Sequence, residues 1–84
     1  MNNNDITRQI IRQLAEKLEF KTPVHISRDY IHHEGKAYVQ VLQDKQFKFH
    51  ILCEPNDSSL TETEDMVSEE LSTLGYKIDR RLLS

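Results

Sequence analysis

Three apolar alternations between residues 24 and 53 constrain the fold of this chain more than any other feature. Val24, Ile26 and Tyr30 share one parity, with Arg28 as the polar exception. Ala37, Val39 and Val41 share a parity in the second run, and Phe47, Phe49, Ile51 and Cys53 in the third. Successive side chains of a strand point to opposite faces, so each run reads as a strand with one buried side. Short polar turns join the runs, which gives an antiparallel meander.

A helical pattern stands on either side of the meander. Ile6, Ile10, Leu14 and Leu18 recur every four residues, with Ile11 beside them and Arg8, Arg12, Gln9, Gln13 and Glu16 elsewhere around the wheel. This is an amphipathic helix whose N-cap is expected at Asn4 or Asp5. The proline of Lys21-Thr22-Pro23 stops it, because the residue before a proline is disfavoured in helical conformation. After Glu54-Pro55-Asn56-Asp57-Ser58-Ser59, a capping box is offered by Ser59 with Glu62 or by Thr61 with Glu64. Leu60, Val67, Leu71 and Leu74 form the second apolar stripe, and Gly75 is placed to end that helix in the left-handed region. Tyr76, Ile78 and Leu82 then alternate with Lys77, Asp79 and Arg81. The expectation is one α+β domain over residues 1–84, in the order α-β-β-β-α-β, with residues 1–4 flexible. Both helices pack on one face of the meander sheet and a C-terminal strand joins it, at an edge the pattern does not specify.

The turn between the first two strands contains His32, His33, Glu34 and Gly35, which raises the question of a metal site. A two-residue Glu34-Gly35 loop would pair His33 with Lys36, His32 with Ala37, Ile31 with Tyr38 and Tyr30 with Val39. The apolar parities of both strands then coincide. In that register His32 and His33 point to opposite faces and cannot share an ion. His25 and His33 would sit about 27 Å apart along the strand, and His50 roughly 9.5 Å or more from either across the sheet. The pair is therefore expected to be a hairpin corner, with no metal and no cofactor implied.

Charge is distributed unevenly. Residues 1–50 carry eight Lys or Arg against six Asp or Glu, whereas residues 51–84 carry three against eight. Glu54, Asp57, Glu62, Glu64, Asp65, Glu69 and Glu70 follow one another without an intervening base. Acids in a first helical turn suit the helix dipole, and a run of them also suits a basic partner. The lone Cys53 cannot form an internal disulfide, and its parity with Phe49 and Ile51 marks it as a buried, inert thiol. No apolar run approaches the ~18 residues of a membrane span, and the polar start lacks a signal-peptide core. A cytoplasmic protein without membrane contact is expected.

Two resemblances attach to this order of elements. Glu34-Gly35-Lys36 is an E-x-K triplet, and α-β-β-β-α-β resembles the core order of PD-(D/E)-x-K nucleases. That chemistry needs two carboxylates and a lysine around a divalent metal within a core strand. Here the triplet straddles a turn, and Asp29 is the nearest upstream acid. The first five elements, Asp5 to Leu74, resemble a double-stranded-RNA-binding domain in order, without sharing a motif. The resemblance implies a lysine cluster at the start of the second helix, where this chain has Glu62, Glu64 and Asp65. Arg8, Arg12, Lys17 and Lys21, with Lys77, Arg80 and Arg81, would have to merge into one stripe to hold nucleic acid.

With two glycines, no phosphate loop, no nucleophile elbow and no EF-hand spacing, the chain carries no catalytic constellation. Two helices cover only one face of a four-stranded sheet. The other parity carries Ile31, Tyr38, Leu42 and Leu52 among His25, Asp29, His33, Gln40, Lys48 and His50. A contiguous apolar patch of that kind marks an interface. The functional expectation is a non-catalytic protein-binding module: an adaptor, an inhibitor or a regulatory subunit. It would act through Ile31, Tyr38, Leu42, His50 and Leu52, through the acidic helix residues Glu62, Asp65 and Glu69, or through both. The partner is another protein or a second copy. The alternative is a nucleic-acid-binding module of dsRNA-binding-domain-like topology.

Overall fold

The computed structural model describes residues 3–31 and 34–79. Its elements are α1 (Asn3–Leu14), β1 (Val24–Ile31), β2 (Lys36–Gln43), β3 (Gln46–Cys53), α2 (Asp57–Thr73) and β4 (Ile78–Asp79). This is the α-β-β-β-α-β order of an α+β fold. The four strands form one mixed sheet in the order β3-β2-β1-β4. The meander is antiparallel, and β4 joins beside β1 in parallel, Val24 facing Ile78. Both helices cover one face, and the core between the layers holds Ile11, Ala15, Leu18, Val24, Ile26, Ala37, Val39, Val41, Phe49, Ile51, Leu60, Met66, Val67 and Leu71. No helix among the described residues is long and apolar enough to cross a membrane.

Tertiary contacts move several local boundaries. The first helix already includes Asn3 and Asn4, so neither Asn4 nor Asp5 is its cap. Its α-helical part ends at Leu14, a 3-10 turn follows over Ala15–Lys17, and Leu18 is extended. The chain turns well before Pro23 because Gln43, 1% exposed, grips the connection. Its Oε1 accepts from the Glu19 N–H at 2.7 Å, and its Nε2 donates to the carbonyls of Glu19 at 2.8 Å and Thr22 at 3.0 Å. A four-residue ridge also drifts about 40° around a helix at each step. Ile6 and Ile10 accordingly emerge on the surface, while Ile11, Ala15 and Leu18 carry the burial.

The β1–β2 register differs from the expected one by two residues. Tyr30 faces Ala37, Asp29 faces Tyr38 and Ile31 faces Lys36, so the connection is the four-residue stretch 32–35. A shift of two keeps every side chain on its face, and the apolar alternation cannot tell the two registers apart. Gly35 has φ +61°, as expected for that corner. His32 and His33, with the side chain of Ile31, lie outside the described residues. Tyr30, expected inside, is exposed at the end of its strand. The β2–β3 turn is two residues long, Asp44 and Lys45, both at positive φ, the twist that suits a tight hairpin.

A bulge follows in β3. Val41 faces Phe49 but Leu42 faces Phe47, so Lys48 is the extra residue. The insertion reverses parity, and Phe47 is 54% exposed on the outer face instead of packing beside Phe49. The second helix is capped by Asn56, whose side chain accepts from the Ser59 N–H at 2.8 Å, and not by Ser59 or Thr61. It ends as expected at Gly75, φ +97°, where the Gly75 and Tyr76 N–H groups reach the Ser72 and Leu71 carbonyls at 3.0 Å each. Leu74 is left exposed at that end. Tyr76 and Ile78 pack partly against the core, while Arg81 and Leu82 lie outside the described residues.

Candidate functional site

The side of the sheet away from the helices brings four of the expected residues together. Tyr38 faces Leu52, Gln40 faces His50 and Leu42 faces Phe47 across β2 and β3. The Tyr38 and His50 rings are 5.3 Å apart between centroids, and the His50 and Phe47 rings 5.8 Å, both tilted. The result is an aromatic ridge, Tyr38–His50–Phe47, running obliquely across two strands with Leu42 and Leu52 at its sides. Phe47 was assigned to the core by its alternation, and only the bulge at Lys48 brings it here. No local signal marks the insertion, since Phe47, Phe49 and Ile51 alternate in the sequence without a break.

The rest of this face is polar. Tyr38 donates its hydroxyl to Asp29 Oδ2 at 3.0 Å. That hydrogen bond to a carboxylate, with some burial, raises the phenol above its ordinary value. His25 lies on the β1 side with Nδ1 3.7 Å from Asp79 Oδ2. Ile31 contributes its backbone pairing with Lys36. Ring faces, aliphatic groups and a few oriented polar groups can take up another surface by packing and hydrogen bonding. They offer no nucleophile paired with a base.

Glu62, Asp65 and Glu69 lie on α2, in the other layer of the molecule, so they do not form one site with the ridge. Much of the acidic segment is paired internally. Glu69 takes Arg8 at 2.8 Å, and Glu70, only 9% exposed at its side chain, accepts from both Arg8 and Arg12. Glu64 takes Arg28 Nε at 2.7 Å, and Thr61 accepts from the same guanidinium at 2.9 Å. Arg28 is therefore the inward-facing cation that fastens β1 to α2. Arg8 and Arg12 are held at the helix–helix seam, while Arg80 and Arg81 lie outside the described residues.

An open cleft of about 670 Å³ lies between the start of α1, the β1–β2 corner, the end of β3 and the start of α2. Cys53, Thr63 and Met66 line it, with Glu34, Glu54, Glu62 and Lys36 also on its wall. Burial pushes the Cys53 thiol above its ordinary value, and a hydrogen bond with Thr63 offsets part of the rise. A thiol so placed is protonated at neutral pH and a poor nucleophile. Among the described residues no three His, Cys, Asp or Glu side chains gather where they could hold a metal ion. Glu34 and Gly35 stand in the corner and Lys36 opens β2, so the E-x-K triplet is not contained in one strand. Comparison with protein-family models, curated proteins and solved structures finds no match to this chain.

Proposed function

We propose that this chain is a non-catalytic, cytoplasmic protein-binding module that engages another protein through the open face of its sheet. One observation carries the reading: the Tyr38–His50–Phe47 ridge, with Leu42 and Leu52 beside it, lies on the face that neither helix covers. Phe47, His50 and Leu52 are exposed and Tyr38 and Leu42 half-buried, and aromatics flanked by aliphatics are the usual make-up of a binding hot spot. The charges favour a protein over a polyanion. Asp29 sits next to the ridge, and Arg8, Arg12 and Arg28 already hold carboxylates. The single, partly buried cysteine suits a reducing compartment.

The test is capture from the native host with the whole chain as bait. Wild type is expected to retain a partner that a Tyr38→Ala/Phe47→Ala variant loses, with both proteins giving the same circular dichroism. Glu62→Ala, on the other layer, should retain it. Loss of about 2 kcal/mol or more of binding energy is expected for the ridge variant. Equal capture by all three proteins would refute the reading, as would RNA or DNA recovered in place of a protein.

A further inference from the structure

We propose that the open face recognises an arginine side chain presented by its protein partner, and that Asp29 is the residue that receives it. This rests on the open-face reading and names the chemistry of the partner there. Asp29 is exposed near the end of β1 and faces Tyr38 across the sheet. Tyr38 in turn faces Leu52 on β3, so a carboxylate, a phenol and an aliphatic group form one row across three strands. The row leads into the Tyr38–His50–Phe47 ridge, whose rings follow one another at 5.3 and 5.8 Å.

The carboxylate is held in place but not neutralised. Its Oδ1 accepts from the Tyr30 N–H at 2.8 Å and its Oδ2 from the Tyr38 hydroxyl at 3.0 Å. An ionised carboxylate accepts at about four positions, so one remains open on each oxygen. Among the described residues no cation pairs with Asp29. Lys36, two residues before Tyr38 on the same face of β2, lines the cleft at the end of the sheet and makes no ion pair with it. The described arginines are committed elsewhere, Arg8 and Arg12 to Glu69 and Glu70, and Arg28 to Glu64. Exposed carboxylates are common on protein surfaces. This one differs in having both oxygens fixed by its own chain, beside an aromatic ring, on the face that no helix covers.

The occupant follows from that charge and geometry. One open acceptor position on each oxygen matches the parallel N–H pair of a guanidinium, which grips carboxylates in this forked manner. A lysine ammonium is a compact point charge without that fork. The delocalised cation and its methylene stem can also lie along the Tyr38 ring, which attracts a cation to its face. Apolar residues beside the arginine then reach Leu52, Phe47 and Leu42. Because Tyr30 and Tyr38 fix the carboxylate beforehand, little ordering is left to pay on binding. Asp29 repels a phosphate, and among the described residues no ligand set gathers that could hold a metal ion there. A second copy offers no free arginine among the described residues, so the occupant is a different protein.

Selection of random displayed peptides on the whole chain tests this. The expected binders share an arginine next to an apolar residue. Such a peptide should bind Asp29→Asn at least about tenfold more weakly than wild type, and replacing its arginine by uncharged citrulline should cost as much. Lysine in that place, or Tyr38→Phe, which keeps the ring but releases Asp29 Oδ2, should each cost several-fold. Asp29→Asn and Tyr38→Phe should melt as wild type does, and Glu62→Ala should bind as wild type does. Binders without arginine, or binders that Asp29→Asn holds as tightly as wild type, overturn the proposal. If Tyr38→Ala/Phe47→Ala loses those binders, the open face itself still stands. Binders untouched by Tyr38→Ala/Phe47→Ala overturn both readings, and recovery of no binder overturns the arginine. Self-association in sedimentation velocity that Asp29→Asn abolishes would give the face to a second copy and overturn the separate partner.

Discussion

Replacing Gln43 by leucine tests whether one buried amide, and not the proline, sets the path from α1 into β1. Gln43 is 1% exposed and makes three hydrogen bonds to the backbone of Glu19 and Thr22, at 2.7, 2.8 and 3.0 Å. Leucine has nearly the same volume, so no cavity enters the comparison. At about 1 kcal/mol net for each bond, the loss is roughly 3 kcal/mol. Burying an apolar side chain in place of an amide returns on the order of 1 kcal/mol. The expected destabilisation is about 2 kcal/mol, a large share of the 4–12 kcal/mol reasonable for a chain this small. In urea, with a slope near 1–2 kcal/mol/M, the midpoint should fall by roughly 1–2 M at constant slope. Gln40 is the internal control: it lies on β2 as well, facing His50 on the outer side. Gln40→Leu should stay within about 0.5 kcal/mol of wild type. A Gln43→Leu midpoint equal to that of wild type, or an equal loss in Gln40→Leu, would refute the assignment of the connection to this side chain.

Phe49→Ala should cost about 3–5 kcal/mol, because Phe49 is 3% exposed in the core, whereas Phe47→Ala should cost less than about 1 kcal/mol. Equal losses in denaturant melting would mean that the bulge does not turn Phe47 outward. The raised thiol of Cys53 gives a pH-dependent expectation. Between the ionisation ranges of the unfolded and the folded thiol, the folded chain holds the extra proton. The associated stability is complete below the unfolded range and is lost as pH rises through the folded one. Thiol-reagent labelling at mildly alkaline pH should be several-fold slower in the folded chain than in denaturant, and equal rates would contradict the half-buried placement against the core.

The candidate face was partly legible beforehand. Tyr38, Leu42, His50 and Leu52 share the parity opposite to Val39, Val41, Phe49 and Ile51, and parity is read directly from alternation. Phe47 was not legible, because one inserted residue reverses the parity before it, and the sequence does not mark which residue a bulge will take. The acidic residues of α2 looked like a surface of one sign. Arg8, Arg12 and Arg28, distant in sequence, turn Glu64, Glu69 and Glu70 into ion pairs of the helix–helix and helix–sheet contacts.

Taken alone, the sequence determined what depends on neighbours a few residues away. Three alternating runs dictated three strands and their faces, Gly75 dictated the end of the second helix, and Gly35 marked the corner. Their order dictated an α+β domain with helices on one side. The tertiary structure decided everything degenerate under those local rules. A register shift of two residues leaves every face unchanged, so Tyr38 could be set against Asp29 only by the assembled sheet. An amphipathic helix can rotate by tens of degrees at little local cost, and the arginines of α1 settled that rotation against Glu69 and Glu70. The last strand could join either edge, and the length of α2 with the turn at Gly75 delivered it beside β1. Each of these choices rests on contacts between residues far apart in the chain, whose energies no local pattern contains.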